Sequence, residues 1–369
     1  MKVGICKENE KIESRVAATP DSVGRLIKQG LEVIVEQGAG FHAGYPDADY
    51  ETAGASVGTS KDICAADFIF SINLPSAAVL RSIKSGSMLV TLPGLCEDDG
   101  TLKSLAKKNV DVLALERIPR ISRAQSMDVL SSQASIGGYR AVLEATVQYK
   151  RFFPLMMTSA GSVKPARVVI LGVGVAGLQA IATARRLGAQ VWAYDVRPET
   201  SEQVESLGAK FIELDLGEEG SGEGGYAREL SDEAKKKQQQ MLSEELQKAD
   251  ILISTAAIPC RPAPRLILEE TVKGMREGSV IIDMAAATGG NCELTEAGSV
   301  IVKHGVTIVG HTNYPAMVSA DASSFFARNL VNLMELLVTK EDEKLVRPDY
   351  MEDEVTKTAL VVHHGEVRF

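Results

Sequence analysis

The stretch from Arg167 to Asp195, RVVILGVGVAGLQAIATARRLGAQVWAYD, constrains this chain more than any other. A short apolar run, residues 168–171, has the length of a buried strand. It leads into Gly172-Val173-Gly174-Val175-Ala176-Gly177, then a helical pattern, then a second apolar run ending at Asp195. Strand, glycine turn, helix and strand make a parallel βαβ unit. If a dinucleotide binds here, each part has a job. Gly172 permits the tight turn, Gly174 lets the backbone approach a pyrophosphate, and Gly177 lets the helix pack against the sheet. The helix N-terminus offers unpaired N–H groups and a partial positive charge to the phosphates. Asp195 stands where a carboxylate accepts a bond from the adenosine ribose. It would repel a 2′-phosphate, which favours NAD(H) over NADP(H), and Arg197 could soften that choice.

A chain of 369 residues has room for about two domains. Its formal net charge of −9 and pI near 5.3 argue against a nucleic-acid partner. The sequence has no apolar run long enough to span a bilayer, and MKVGICKENEKIES lacks the apolar core of a signal peptide. The expected chain is cytosolic and reaches no membrane by itself. Cys6, Cys64, Cys96, Cys260 and Cys292 are odd in number, scattered and without metal spacing, so they read as reduced thiols.

Residues 3–5, 32–35, 67–72, 88–92 and 112–115 read as strands, alternating with helical patterns that include 20–29 and 98–108. Thr19-Pro20-Asp21 is a good helix start and Gly30 a good stop. A long helical pattern over 126–153, with a break suggested by Gly137-Gly138, carries the chain onward. Further strands are expected at 168–171, 210–212, 250–254, 279–283, 300–302 and 307–309. The expected fold class is α/β: two doubly wound, mostly parallel, Rossmann-like domains with a cleft between them. The first comprises 1–130 and 318–369, because the helical pattern over 319–338 returns the chain to it. The second comprises 131–317 and carries the nucleotide motif. Residues 217–225 are too glycine-rich and acidic to pack and read as a mobile loop. Tyr226 is either that loop's anchor or a lid residue over the cofactor. The tail over 361–369 reads as a short hairpin. Adjacent His363 and His364 would point to opposite strand faces, which argues against a metal pair.

Residues 119–135 are polar in an unusual way. Arg120, Ser122, Gln125, Ser126, Asp128 and Ser131 supply guanidinium, hydroxyl, amide and carboxylate groups in one short span, with Ile121 and Met127 between them. A loop joining two such domains lies at the cleft, where Arg120, Gln125 and Asp128 could hold a ribose or carboxamide. An ordinary helix capped by Ser126 or Ser122, with the other side chains solvated, accounts for the same residues.

The strings RISRAQSMDVLSSQ, GVGVAGLQAIATA, TAAIPCRPAP and VGHTN together resemble the NAD(H)-binding component of proton-translocating nicotinamide nucleotide transhydrogenases, over essentially the whole chain. The resemblance implies a homodimer of two-domain chains with NAD(H) between the domains. Arg120, Gln125, Asp128 and Ser131 would face the nicotinamide end, with Gln125 bonding the nicotinamide ribose. Residues 121–122 and 126–127 would complete that loop. Residues 173–175 and Asp195-Val196-Arg197 would hold pyrophosphate and adenosine. Gly225-Tyr226 match the family's mobile loop, with Gln238 beyond it. Ala257 stands where the family usually has leucine, and Cys260 where glycine is common. The implied reaction is hydride transfer from NADH to NADP⁺ held on a partner. Because hydride passes directly between two nicotinamide carbons, no catalytic acid, base or nucleophile is needed. The NADP(H) site and proton channel would lie on membrane subunits, placing this chain peripherally at the cytoplasmic face.

Alanine dehydrogenases are similar in fold and share the start around Glu13-Ser14-Arg15-Val16-Ala17. Their reaction needs a lysine and a histidine for proton transfer. Those positions fall here on Asn73 and Gly94, so the dehydrogenase reading ranks second. An NAD-sensing regulator is a third reading.

Overall fold

The computed structural model describes residues 1–94, 100–214, 232–258, 260–342 and 344–368. The chain folds as two units, Met1–Gln133 with Pro315–Phe369, and Ala134–Tyr314. In chain order the strands of the first unit begin with β1 (Lys2–Ile5), β2 (Glu32–Glu36), β3 (Ser56–Gly58), β4 (Phe68–Asn73), β5 (Met88–Leu92) and β6 (Asp111–Ala114). The second unit follows with the hairpin β7 (Met156–Thr158) and β8 (Gly161–Val163). Its main strands are β9 (Arg167–Leu171), β10 (Gln190–Tyr194), β11 (Lys210–Phe211), β12 (Ile251–Ser254), β13 (Val280–Asp283), β14 (Val300–Lys303) and β15 (Val306–Val309). The chain returns to the first unit for the hairpin β16 (Thr339–Glu341) and β17 (Lys344–Val346), then β18 (Leu360–His363) and β19 (Glu366–Val367).

The first sheet runs β19-β18-β6-β5-β4-β1-β2-β3 and the second β11-β10-β9-β12-β13-β15-β14. Both are parallel except at one edge, where β18 and β19, or β14, run antiparallel. Each central strand is apolar on both faces, as a sheet covered on both sides requires. In the first unit the helix Ser319–Leu337 buries Phe326, Leu330, Leu333, Met334 and Leu337 in the same cluster as Val3, Phe68, Val90 and Leu113. In the second, Ala180, Ile181 and Ala184 of the helix Val175–Arg186 pack with Val168 and Ile170.

Three details depart from what the sequence suggests. The long connecting helix is unbroken and shorter than expected, Val129–Gln148. Gly138 does not break it. A Cβ there would run into the backbone of Ala176, so the glycine serves close packing between two helices. Strand β3 and both isolated hairpins, each of three-residue strands, are too short for periodicity to reveal. Finally, Cys6, Cys64 and Cys292 are free and buried, but Cys260 is disulfide-bonded, against the expectation of reduced thiols throughout. Its scattered position in the sequence carries no sign of that bond. Cys96 lies outside the described residues.

Both sheets switch direction of growth beside their first strand, β1 against β4 and β9 against β12. In open α/β sheets this is where ligands enter, at the carboxyl ends of the strands. The first unit fills that position itself. Glu8, just past β1, accepts from the Ile72 N–H at 2.6 Å, the Asn73 N–H at 3.2 Å and the Asn73 side-chain amide at 3.1 Å. Burial outweighs these bonds and pushes the Glu8 carboxyl up to about 7. Its folded proton affinity therefore exceeds that of the unfolded chain, so its contribution is present at low pH and lost as pH rises through about 7. Urea midpoints should fall between pH ~5 and ~8, with a smaller fall in Glu8→Ala. An identical slope in the variant would mean that Glu8 is not the group responsible.

Candidate functional site

Three loops leave the switch point of the second unit, after β9, β10 and β12. The first is the glycine turn. Gly172 adopts φ +90°, and a Cβ on it would come within 2.7 Å of the Thr255 hydroxyl. Gly177 is buried in the first turn of the helix, and a Cβ there would run into the Gly172 carbonyl oxygen. These two glycines are demanded by the chain's own packing. Gly174, the helix N-cap, is different. Its φ of −87° and ψ of −167° suit any residue. Among the described residues no heavy atom beyond its own chain neighbours lies within 4 Å of where its Cβ would be. Neither backbone nor packing asks for glycine at 174. The space above it opens at a helix start whose first N–H groups have no helical partner. Val173 is buried while Val175 is exposed beside this opening.

The second loop carries Asp195, directly after β10. Its carboxylate accepts the Val173 N–H at 2.7 Å, tying the glycine turn to the neighbouring strand. Burial alone would raise its proton affinity. Bonds from Arg197 and from the Val173 N–H outweigh burial and hold the group below the ordinary carboxylate range, so it is ionised at neutral pH. Arg197 is raised in turn by its bond to Asp195. Val196 points outward, exposed. Beside it, Gln238 on the helix Asp232–Leu246 donates to the Tyr194 hydroxyl at 2.9 Å. Gly225 and Tyr226 lie outside the described residues.

The third loop follows β12 and contains two residues that sequence patterns alone do not flag. Thr255 donates to the carbonyls of Leu171 and Gly172 at 3.2 and 3.0 Å, which pins the glycine turn from the adjacent strand. Asn291, fully buried, donates to the Ala256 and Pro264 carbonyls at 2.8 and 2.9 Å and so holds the loop that exposes Ala257. A second hydroxyl residue, placed directly after Ser254 at the end of the apolar run 251–253, was the available signal for Thr255. Asn291 had none stronger than the glycine pair before it.

The first unit gathers the other group of expected residues. Residues Ser122–Met127 form a tight 3₁₀ turn in which Ala124 and Met127 are buried, while Ser122, Gln125 and Ser126 are exposed. Ile121 packs against the core of that unit. Asp128 caps the following helix, accepting the Ser131 N–H at 2.9 Å and its hydroxyl at 2.6 Å. Asn329 and Asn332 donate to the Ser126 carbonyl at 2.7 and 3.0 Å, and Arg123 forks onto Asp353 at 2.8 and 2.9 Å. The turn is clamped. Asp128, rather than Ser122 or Ser126, caps the following helix, while Arg120 and Gln125 nonetheless stand exposed.

The residues that alanine dehydrogenase chemistry would use are otherwise engaged. Arg15 is buried, with Nε and Nη2 on Glu13 at 2.8 and 2.7 Å and Nη1 on Gln133 at 2.7 Å. The Asn73 amide bonds Glu8 and Glu13. Gly94 carries no side chain, and its N–H donates to Glu116.

Residues 4–137 match the family model described as alanine dehydrogenase/PNT, N-terminal domain, and residues 141–369 match its C-terminal counterpart. The protein that forms the first portion of the NAD(P) transhydrogenase alpha subunit in Rhodospirillum rubrum is 48% identical, over 100% of this chain and 97% of that protein. The solved transhydrogenase structure from Sinorhizobium meliloti superimposes with a TM-score of 0.86 at 42% identity, covering 100% of this chain and 98% of that one. Alanine dehydrogenase of Staphylococcus saprophyticus is more distant, 29% identical over 86% of this chain and 82% of its own.

Proposed function

The chain belongs to the alanine dehydrogenase/PNT family, and we propose that it is the NAD(H)-binding component of a proton-translocating transhydrogenase, exchanging hydride with NADP(H) held on a partner. The observation that carries the NAD(H) site is Gly174, a glycine that its own fold does not need, at the mouth of a helix start on the sheet's switch point. When bound, NAD(H) supplies the hydride. In this reading Val173, Val175 and Gly174 take the pyrophosphate, and Asp195 and Val196 take the adenosine, with Arg197 beside them. Gln238, Ala257, Gly225 and Tyr226 are assigned to enclosing the nucleotide. Arg120, Gln125, Asp128 and Ser131, with Ile121, Ser122, Ser126 and Met127 as their frame, are assigned to orienting the nicotinamide end.

The chain need hold no acid or base for this. Its tasks are to place the donor carbon within about 3–3.5 Å of the acceptor and to exclude water. Arg15 and Asn73 are bound to carboxylates of their own unit and so are not available to a 2-oxo acid, which supports the transhydrogenase reading over the dehydrogenase one. No described helix is long and apolar enough to cross a membrane. In this reading the proton channel and the NADP(H) site lie on membrane partners, with this chain at their cytoplasmic face.

The test is a rate assay with NADH and an oxidised NADP⁺ analogue, with and without an added NADP(H)-binding domain, beside a pyruvate-plus-ammonia control. Turnover that requires the added domain is expected. Turnover with pyruvate and ammonia alone would make the chain a dehydrogenase.

The same reading includes a homodimer. The hairpin β7–β8 pairs with no other described strand, and a two-stranded hairpin is marginal in water unless covered. Met157 on it and Leu155, Phe152 and Val147 before it are exposed apolar side chains that a second copy would bury. Met157→Asp should shift the sedimentation mass towards the monomer. An unchanged mass would place the dimer contact elsewhere.

A further inference from the structure

Asp195 has no lone pair to spare. Its Oδ2 accepts the Val173 N–H at 2.7 Å and Arg197 Nη2 at 3.0 Å. Its Oδ1 accepts the Arg197 N–H at 3.0 Å and Arg197 Nε at 2.9 Å. A carboxylate offers about four acceptor sites, so four donors fill it. A ribose hydroxyl can donate to this carboxylate only after one donor leaves. Two of the four are backbone N–H groups, fixed by the turn and the strand end. The other two belong to one side chain that is 53% exposed, while the carboxylate itself is 8% exposed. The guanidinium also reaches the Val173 carbonyl at 3.5 Å, so it spans from the carboxylate to the glycine turn. It is the only displaceable donor of the set.

We propose that Arg197 is a latch, whose guanidinium occupies the place on Asp195 that the adenosine ribose must take. The proposal rests on the NAD(H) reading of this unit. In the alternative, Arg197 simply adds a contact to the cofactor, and removing it weakens binding. The latch predicts the opposite sign. An exposed arginine–carboxylate pair is screened by water, so releasing it changes affinity only about two- to fivefold. A second consequence concerns selectivity. With Asp195 removed, the guanidinium is freed in place as a partner for a 2′-phosphate, so tolerance of NADPH should depend on Arg197.

The experiment is calorimetric titration of NADH into the unaltered chain, Arg197→Lys and Arg197→Met. Lysine keeps the cation but cannot reproduce the two-pronged Nε and Nη2 contact. Methionine removes the charge while keeping the stem. Both variants should bind NADH about two- to fivefold more tightly. That gain should vanish in an Asp195→Ala background, because the latch acts only through Asp195. In the same background NADPH should bind measurably, and Arg197→Met should remove that binding. Weaker or unchanged NADH binding in both single variants would overturn the latch. Failure of the unaltered chain to bind NADH would instead overturn the NAD(H) reading, and the latch with it.

Discussion

Gly174→Val should fold as well as the unaltered chain and lose NADH binding by at least about 100-fold, equivalent to ~2.7 kcal/mol. The backbone at 174 is extended, which a β-branched residue accepts readily, and beyond its chain neighbours the new side chain meets no described atom within 4 Å of its Cβ. The stability change should stay within about 1 kcal/mol, the cost of putting valine at a helix N-cap. The same side chain would stand where a pyrophosphate must approach the helix start. Keeping the phosphate from one or two charge-assisted bonds of ~1.5–3 kcal/mol each accounts for the expected loss. Gly177→Ala, three residues on, should behave in the opposite way. Its methyl group would press on the Gly172 carbonyl, and the Thr255 hydroxyl holds that carbonyl at 3.0 Å. Overpacking of this kind costs about 1–3 kcal/mol. Thermal melts and NADH titrations of the pair separate the two effects. Wild-type affinity in Gly174→Val would mean that nothing approaches this turn, and the pyrophosphate assignment would be lost.

Gln125→Asn should lower turnover in the reconstituted complex by about 10- to 100-fold while NADH affinity stays within about threefold. The turn that carries Gln125 cannot adjust to compensate. Buried Ala124 and Met127, the two asparagine bonds to the Ser126 carbonyl, the Arg123–Asp353 fork and the Asp128 cap all hold it. Shortening the side chain by one methylene withdraws its amide by roughly 1 Å on a rigid frame, and hydride transfer is sensitive to displacements of that size. Rate assays at saturating NADH, paired with titration, read the two quantities separately. Normal turnover at saturation with lost affinity would make Gln125 a binding residue and nothing more.

Much of this site was legible because its determinants are local. A strand of four or five apolar residues, a glycine that takes positive φ and an acid at the end of the next strand are all encoded within residues 167–195, and β9, β10 and Asp195 lie where that pattern puts them. The polar span 119–135 was equally visible as a chemical oddity. Its division of labour was not. Asp128 became a cap through Ser131, three residues on, while Arg123 became an anchor and the Ser126 carbonyl was clamped through contacts some 200 positions away, with Asp353 and Asn329.

What the sequence alone determined is therefore the order of elements, the α/β class of both units and the identity of the nucleotide turn, since each depends on periodicity or on the conformational freedom of single residues. Tertiary structure decided the rest. It showed that Gly138 lets a helix pass close to Ala176, that Thr255 pins the glycine turn, and that Gly174 is the glycine its own fold can spare. It also showed that Glu8 fills the switch point of the first unit, and that Arg197 saturates Asp195. Each of these is a matter of which atoms meet across the chain, and packing settles such meetings where sequence spacing does not.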